Sequence, residues 1–523
     1  MSAPALSTLD LAVIGVYFIL VLYIGLRMAK RTHSGEELFL AGRRLGWMPI
    51  GFSLFASNIS STTLVGLSGA AYTWGIAVSN YEWMAAFILV FFAIFIIPSY
   101  LNARITTVPE FLERRFDRRS RLYFSALTLF SNIVVDSAGT LFAGAIVLKV
   151  FYPELDLFTT CLCLALVSGL YTAAGGLAAV VYTDVIQAAV LLIGACTVSY
   201  LSFAQVDFSW ASVVASTPPQ KLSLILPLDD PNLPWLGTLV GVPILGFYFW
   251  CTNQFIVQRV LGARSIAHAR WGALFAGFLK LTVLYIMVLP GVMAGMFLPA
   301  LDNADAVFPM LVTKLLPAGL VGLVMAGLLA AIMSSIDSTL NSASTLITMD
   351  FVQPEKRGWS AQKTVWVGRS FIVLFMLLAA TISPFINHFP WLFHYLQSAL
   401  AYLVSPVVAV FILGLFWRRA SATGAIVTLA GGHAVSAVFF VLSLLDILTL
   451  HFTIIAGVLA LISGIIFVAV SFLSAPPHEQ QVKEFTFHHD STGPQADLGG
   501  WQDYRLYSMI LILLATTLVI AHW

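Results

Sequence analysis

Gly51-Phe-Ser-Leu-Phe-Ala-Ser-Asn-Ile-Ser-Ser-Thr-Thr63 lies in the middle of a stretch, residues 47–72, that is long and apolar enough to cross a bilayer. The side chains of Ser53, Ser57, Asn58, Ser60, Ser61, Thr62 and Thr63 all end in a hydroxyl or an amide. Such groups compete with the backbone for its own hydrogen bonds. They can also serve as plain glue between helices. Unwound backbone at membrane depth survives only against protein or a wet cavity. A helix broken there exposes carbonyl oxygens that can ligate a cation. The run points to a membrane helix interrupted at its centre.

The rest of the chain fits that reading. Of 523 residues, 59% are hydrophobic and only 10% charged, with a mean hydropathy of +0.92. Ordinary soluble domains are ~45–50% apolar and ~25% charged, so a soluble globular enzyme and a disordered chain are excluded. A net charge of +1 implies no nucleic-acid partner. Cys161, Cys163, Cys196 and Cys251 sit in apolar segments without a C-x-x-C spacing, so neither a disulfide framework nor a zinc site is expected.

Fourteen stretches qualify as spans: 9–28, 47–72, 80–103, 121–149, 155–174, 180–204, 235–257, 272–298, 308–349, 364–388, 393–416, 422–443, 452–472 and 504–522. The first is not a cleaved signal peptide, because nothing basic precedes it and no small-residue cleavage site follows. The ninth is too long for one crossing, and Pro317-Ala-Gly319 should divide it into a short outer helix and a long membrane helix. Most of the 26 Lys and Arg fall in alternate connections, among them Arg43, Arg44, Arg114, Arg115, Arg118, Arg119, Arg259, Arg264, Lys356, Arg357, Arg418 and Arg419. The opposite face carries Asp207, Asp229 and Asp230 instead. The positive-inside rule then puts both termini outside. Two longer connections, 205–234 outside and 473–503 inside with His488-His489, read as solvated. The pattern Asn58-Ile-Ser60 is no glycosylation acceptor, since it lies within a span.

Two further spans are broken by polar residues. The seventh has Pro243 and Gly246, then Tyr248-Phe-Trp-Cys-Thr-Asn-Gln254, five spans after the first interruption. Interruptions at corresponding positions of two halves point to a transporter site. The ninth contains Ala331-Ile-Met-Ser-Ser-Ile-Asp-Ser-Thr-Leu-Asn341, in which Ala331, Ser334, Ser335 and Ser338 follow one helix face. Hard oxygen ligands suit a small hard cation, and no soft ligand is near. Lys280 is deep enough in its span to face a site or to snorkel back to the interface. Glu82 opens the third span, Asp184 follows Gly175-Gly176, and Gln397 is an amide in an apolar span. Asp136 is mid-span with Asn132 one turn away, and the sequence alone assigns it no role. Neither H-E-x-x-H nor G-x-S-x-G occurs, so a membrane-embedded enzyme is not expected. No long soluble output domain supports a receptor that senses without transporting.

At Leu40-Ala-Gly-Arg-Arg-Leu-Gly-Trp47, Ser53-Leu-Phe-Ala-Ser-Asn-Ile59, Tyr248-Phe-Trp-Cys-Thr-Asn-Gln-Phe-Ile-Val-Gln-Arg259 and Ser334-Ser-Ile-Asp-Ser-Thr-Leu-Asn-Ser-Ala-Ser-Thr345, the chain resembles the sodium/solute symporter family, in its sodium/glucose cotransporter branch. The resemblance covers nearly the whole chain. It implies an all-α polytopic membrane protein of about 14 transmembrane helices in a single transmembrane domain over residues 1–523, with an inverted 5+5 repeat of the leucine-transporter type. The first repeat would be 47–204 and the second 235–416, with 9–28 and 422–522 peripheral.

The resemblance further implies Na+ as the coupling ion, held by the backbone carbonyls of Ala56, Ile59 and Ala331 and the hydroxyls of Ser334 and Ser335. A second sodium would use Asp184, Ser334, Asp337 and Ser338, although Asp337 stands where relatives often carry Ser or Thr. The solute site carries over as Asn58, Glu82, Trp250, Lys280 and Gln397, with Tyr81 and Trp250 as platforms for the apolar face of a pyranose. Phe249 replaces the usual inner-gate Tyr, Gly246 an Asn or Thr, and Thr63 a His or Gln, which changes the hydroxyls that can be read. The expected activity is sodium-coupled symport of a neutral sugar or polyol, a hexose among them, by alternating access across a cytoplasmic membrane. The alternative is another small solute, such as a carboxylate, vitamin or amino acid, since Lys280 suits a carboxylate as readily as a hydroxyl.

Overall fold

The structure is a computed structural model that describes residues 6–30, 32–299, 301, 304–354, 356–388, 392–487 and 503–523. Among the described residues there is no β-strand, only two isolated bridges. Backbone groups in lipid must find partners within their own segment, and helices provide them. Polar caps mark many of the helix starts. Ser7 forms a capping box with Asp10, and Asp156, Ser265, Ser360 and Ser421 each accept a hydrogen bond from the third residue of the helix that follows.

Twelve helices are long and apolar enough to cross a membrane, and a thirteenth crossing is the bent pair Trp47–Asn58 and Thr63–Trp74. Sequence counting separates 155–174 from 180–204, whereas the backbone runs as one helical stretch, Leu157–Ala204, with a single non-helical residue. That residue is Gly176, at φ 59° and ψ −152°, a conformation closed to side chains with a Cβ. Tyr171, before it, donates to Asp337, and Asp184, after it, accepts from Ser334. Gly176 itself lies against Leu38, and Gly194 against Val324. Both arms thus run along the same helix, and the chain doubles back at Gly176. Counted as two crossings, this stretch reconciles the helix count with the fourteen spans read from sequence.

The ninth span divides as expected, into Val307–Leu315 and Leu320–Leu346, with Gly319 at the junction. Leu320–Leu346 is the axis of the molecule. Its most apolar window is 83% buried, against 22% for Thr8–Met28 and for Tyr504–Ala521, many of whose leucines and isoleucines face outward. Its most extensive partner is Leu157–Ala204, and it also touches both halves of the broken helix. A helix buried all round must satisfy its polar side chains against neighbours. The serine-rich stripe of this one therefore marks where the surrounding helices bring their own polar groups.

Candidate functional site

The break in the second span is a specific backbone event. Helix Trp47–Asn58 ends at Ile59, which takes φ −84° and ψ 88°. Ser60 is extended and caps the next helix, Ser61–Trp74, its hydroxyl accepting from the Thr63 amide at 3.2 Å. The two halves meet at 57°. In an unbroken helix the Ser60 amide would bond back to the Ala56 carbonyl, and the Thr63 amide to the Ile59 carbonyl. Here Ser60 N–H bonds Asn58 O at 3.2 Å, and Thr63 N–H is taken by the Ser60 hydroxyl. Among the carbonyls released from their helical partners are those of Ala56 and Ile59, two of the expected sodium ligands.

On the wall of the cavity that Asn58 and Thr63 also line, Ser335 has a buried Oγ with no hydrogen-bond partner among the described residues. An orphaned buried hydroxyl is costly unless something else occupies it. Ser334 is committed differently, its Oγ donating to Asp184 at 2.6 Å. Ala331 is buried one turn earlier on the same helix.

Deeper in, Asp184, Asp337 and Ser338 come together as the sequence reading expects, but with a fourth member. Arg259, assigned from sequence to an inner connection, is fully buried among them. Its Nε donates to Ser53 Oγ at 2.5 Å, one Nη reaches the Phe255 carbonyl, and the other bonds Ser57 and Ser338 and lies 3.3 Å from Asp184. Asp184 also accepts from Ser53, while Asp337 accepts from Tyr171 and, at 3.1 Å, from Ser338. The correction has a plain cause. All eight residues of Gln254–Leu261 are buried, because this helix continues the broken seventh span inward rather than leaving the membrane. The signal for it was the flanking sequence, Phe255-Ile-Val-Gln-Arg-Val-Leu261, too apolar for a solvated connection.

Six residues expected at the solute site, Asn58, Thr63, Tyr81, Glu82, Phe249 and Trp250, line one cavity of about 170 Å³ together with Ser335. That is below the ~300–1,000 Å³ of drug-sized sites and suits one small molecule. Five consecutive residues in π-helical geometry, Tyr248–Thr252, put Phe249 and Trp250 into its wall with ring centroids 5.1 Å apart. Lys280 does not snorkel. Its ammonium is buried and donates to Glu82 and to Asn58 Oδ1. Glu82 and Asn58 face the cavity while Lys280 stands behind them. Thr63 Oγ1 bonds the Asn58 carbonyl at 3.2 Å, at the broken end of the helix. The side chain of Gln397, on the helix Leu392–Phe416, lies outside what the structure describes, and His488 and His489 lie outside the described residues, although Leu400 and Val404 of that helix line the cavity. Tyr248 and Asp136, to which the sequence reading gave no role, also line the cavity. Among the described residues no cluster of His, Cys, Asp and Glu could hold a metal ion.

Comparison with known proteins was consistent with this geometry. The model of the Sodium:solute symporter family matches residues 38–432. Sodium/myo-inositol cotransporter 2 of Homo sapiens is 35% identical over 92% of this chain and 79% of its own. The sodium/glucose cotransporter of Vibrio parahaemolyticus is 35% identical over 81% of this chain and 83% of its own. Sodium/glucose cotransporter 4 of Danio rerio is 33% identical over 92% and 82%. Among solved structures, a Na+-coupled sialic acid symporter in a substrate-bound outward-open state superposes with a TM-score of 0.81, at 24% identity over 90% of this chain and 99% of that one.

Proposed function

The chain belongs to the sodium:solute symporter family, and from that premise we propose that it moves a neutral sugar or polyol, a hexose or cyclic polyol, together with Na+ by alternating access. The names of the relatives, sodium/myo-inositol and sodium/glucose cotransporters, support the solute class. The observation that carries the reading is the break at Ile59-Ser60. The same few residues free backbone carbonyls beside a cavity that the buried Ser335 hydroxyl also lines, and they set Asn58 against Lys280 at that cavity. An ion held by Ala56, Ile59, Ala331, Ser334 and Ser335 would clamp the broken helix to Leu320–Leu346 and set Asn58 in place for the solute. The membrane potential adds ~2.3 kcal/mol per charge per 100 mV to such a step.

One sodium per cycle is the stoichiometry we favour. A second ion between Asp184, Asp337 and Ser338 would share its ligands with the Arg259 guanidinium, which already brings a positive charge there. Residues 47–204 and 235–416 are read as the two inverted repeats, each opening on its own broken helix. The orientation follows the basic connections, with both termini outside a cytoplasmic membrane. Cysteines introduced at the exposed positions Ser216 and Arg418 test it, and labelling of the second in intact cells would reverse it.

Proteoliposome uptake decides the function. A sodium gradient is expected to drive accumulation of glucose or myo-inositol, and counterflow to persist without the gradient. If neither solute is taken up with sodium, the reading fails.

A further inference from the structure

Among the described residues that line the cavity, Asp136 is the one carboxylate without a cation. It sits on Ser131–Ser137, a stretch in π-helical geometry, where the wider turn shifts the residues around it relative to an α-helix. The two polar residues one turn apart diverge accordingly. Asn132 turns away to Ser342, at 2.8 Å, while Asp136 lines the solute cavity beside Thr140 and Tyr248. Its carboxylate accepts one hydrogen bond, from Ser131 Oγ at 3.3 Å, and among the described residues it forms no ion pair. Lys280, whose partners Glu82 and Asn58 line the cavity, is occupied by those two and is not part of the cavity wall. The cavity wall therefore carries Glu82, already paired with Lys280, and a second carboxyl group, Asp136, with lone pairs left free.

We propose, building on the sugar or polyol reading, that Asp136 contacts the solute and sets its charge class. Its oxygens accept hydrogen bonds from adjacent ring hydroxyls, they favour an analogue bearing an ammonium, and they exclude solutes bearing a carboxylate. A carboxylate with two free oxygens matches two neighbouring O–H donors, and a buried acceptor left unpaired penalises a solute that lacks them. An anionic solute meets like charge with nothing in the wall to offset it. Among the solutes that Lys280 alone would permit, this separates hydroxyl-bearing from carboxylate-bearing ones.

The test uses purified full-length protein in proteoliposomes, with glucose and myo-inositol as tracers and with glucosamine and glucuronate as competitors. In the wild type, protonated glucosamine should compete at least as well as unlabelled glucose, and glucuronate at least tenfold less well. In Asp136→Asn, KM for the tracer should rise at least tenfold, the glucosamine advantage should vanish and glucuronate should begin to compete, with sodium half-saturation unchanged. Asp136→Glu should keep the wild-type ranking. If transport in Asp136→Asn is too slow, the same ranking is read by equilibrium competition for tracer binding. An Asp136→Asn protein that keeps the wild-type order of glucosamine, glucose and glucuronate overturns the proposal. Lack of sodium-driven uptake of both tracers by the wild type would instead sink the sugar or polyol reading, before any variant is made.

Discussion

Two of the buried cations, Arg259 and Lys280, are held in opposite ways. Arg259 and Asp184 are both fully enclosed, and the guanidinium is surrounded by Ser53, Ser57, Ser338 and a carbonyl as well as the carboxylate. Lys280 is equally deep, but its partner Glu82 retains 8% of its side-chain surface and borders the cavity. A planar guanidinium with five fixed donors suits a sealed polar knot, whereas an ammonium is a compact point charge whose partners can be re-arranged. Burying two charges is compensated only where hydrogen bonds satisfy what remains of each group. The Arg259 knot meets that condition within the protein. The Lys280 pair leaves an oxygen of Glu82 toward the space a solute would enter. The comparison teaches that a buried ion pair can be a strut or a half-finished binding site, and that the partner facing the cavity decides which.

The widest separation between the two should appear in stability. Arg259→Ala strands Asp184 without its cation, and breaking a fully buried pair costs ~3–5 kcal/mol. The variant should lose most of its folded fraction in detergent, seen as a large drop in thermal unfolding temperature. A fraction that survives should show a higher sodium Hill coefficient, as the vacated position admits an ion. Wild-type stability in this variant would erase the distinction between strut and site.

Glu82→Gln should act mainly on the solute. Losing a charge-assisted hydrogen bond is worth ~1.5–3 kcal/mol, so the solute KM should rise roughly 10–100-fold. Sodium half-saturation and unfolding temperature should move far less than in Arg259→Ala. A variant that unfolds as readily as Arg259→Ala would place Glu82 among the struts.

Ser335→Ala isolates the proposed sodium site. Removing one ligand should cost ~1–2 kcal/mol and raise the sodium needed for half-maximal transport roughly 5–30-fold. Unchanged sodium dependence in a folded protein would remove Ser335 from the ion site. The smallest effect expected is that of Thr63→Val. Thr63 bonds the Asn58 carbonyl at the break, and a neutral hydrogen bond of ~0.5–1.5 kcal/mol should change solute KM about tenfold at most. A larger effect would mean that Thr63 touches the solute directly, sharpening the map of the cavity.

Much of this was legible along the chain, because it rests on properties that residues carry with them. Long apolar runs demand spans, since each buried polar backbone group must be paired within a helix. The hydroxyl-rich run 51–63, the Pro317-Ala-Gly319 junction and the polar stretch at Tyr248–Gln254 weaken a helix wherever they stand. The structure breaks at all of these places. The serine stripe of Ser334, Ser335 and Ser338 is likewise a matter of helical period. Tertiary structure alone decided the partners of the charges. Arg259 meets Asp184 across 75 positions and Ser53 across 206, and Lys280 meets Glu82 across 198. Asp136 could not be turned toward the cavity, nor Asn132 away from it, until a π-helical segment set their directions. The physical reason is one of range. Hydropathy and helix breaking are short-range free energies summed residue by residue, whereas the cost of a buried charge is settled by whichever distant side chain packing brings within about 3 Å.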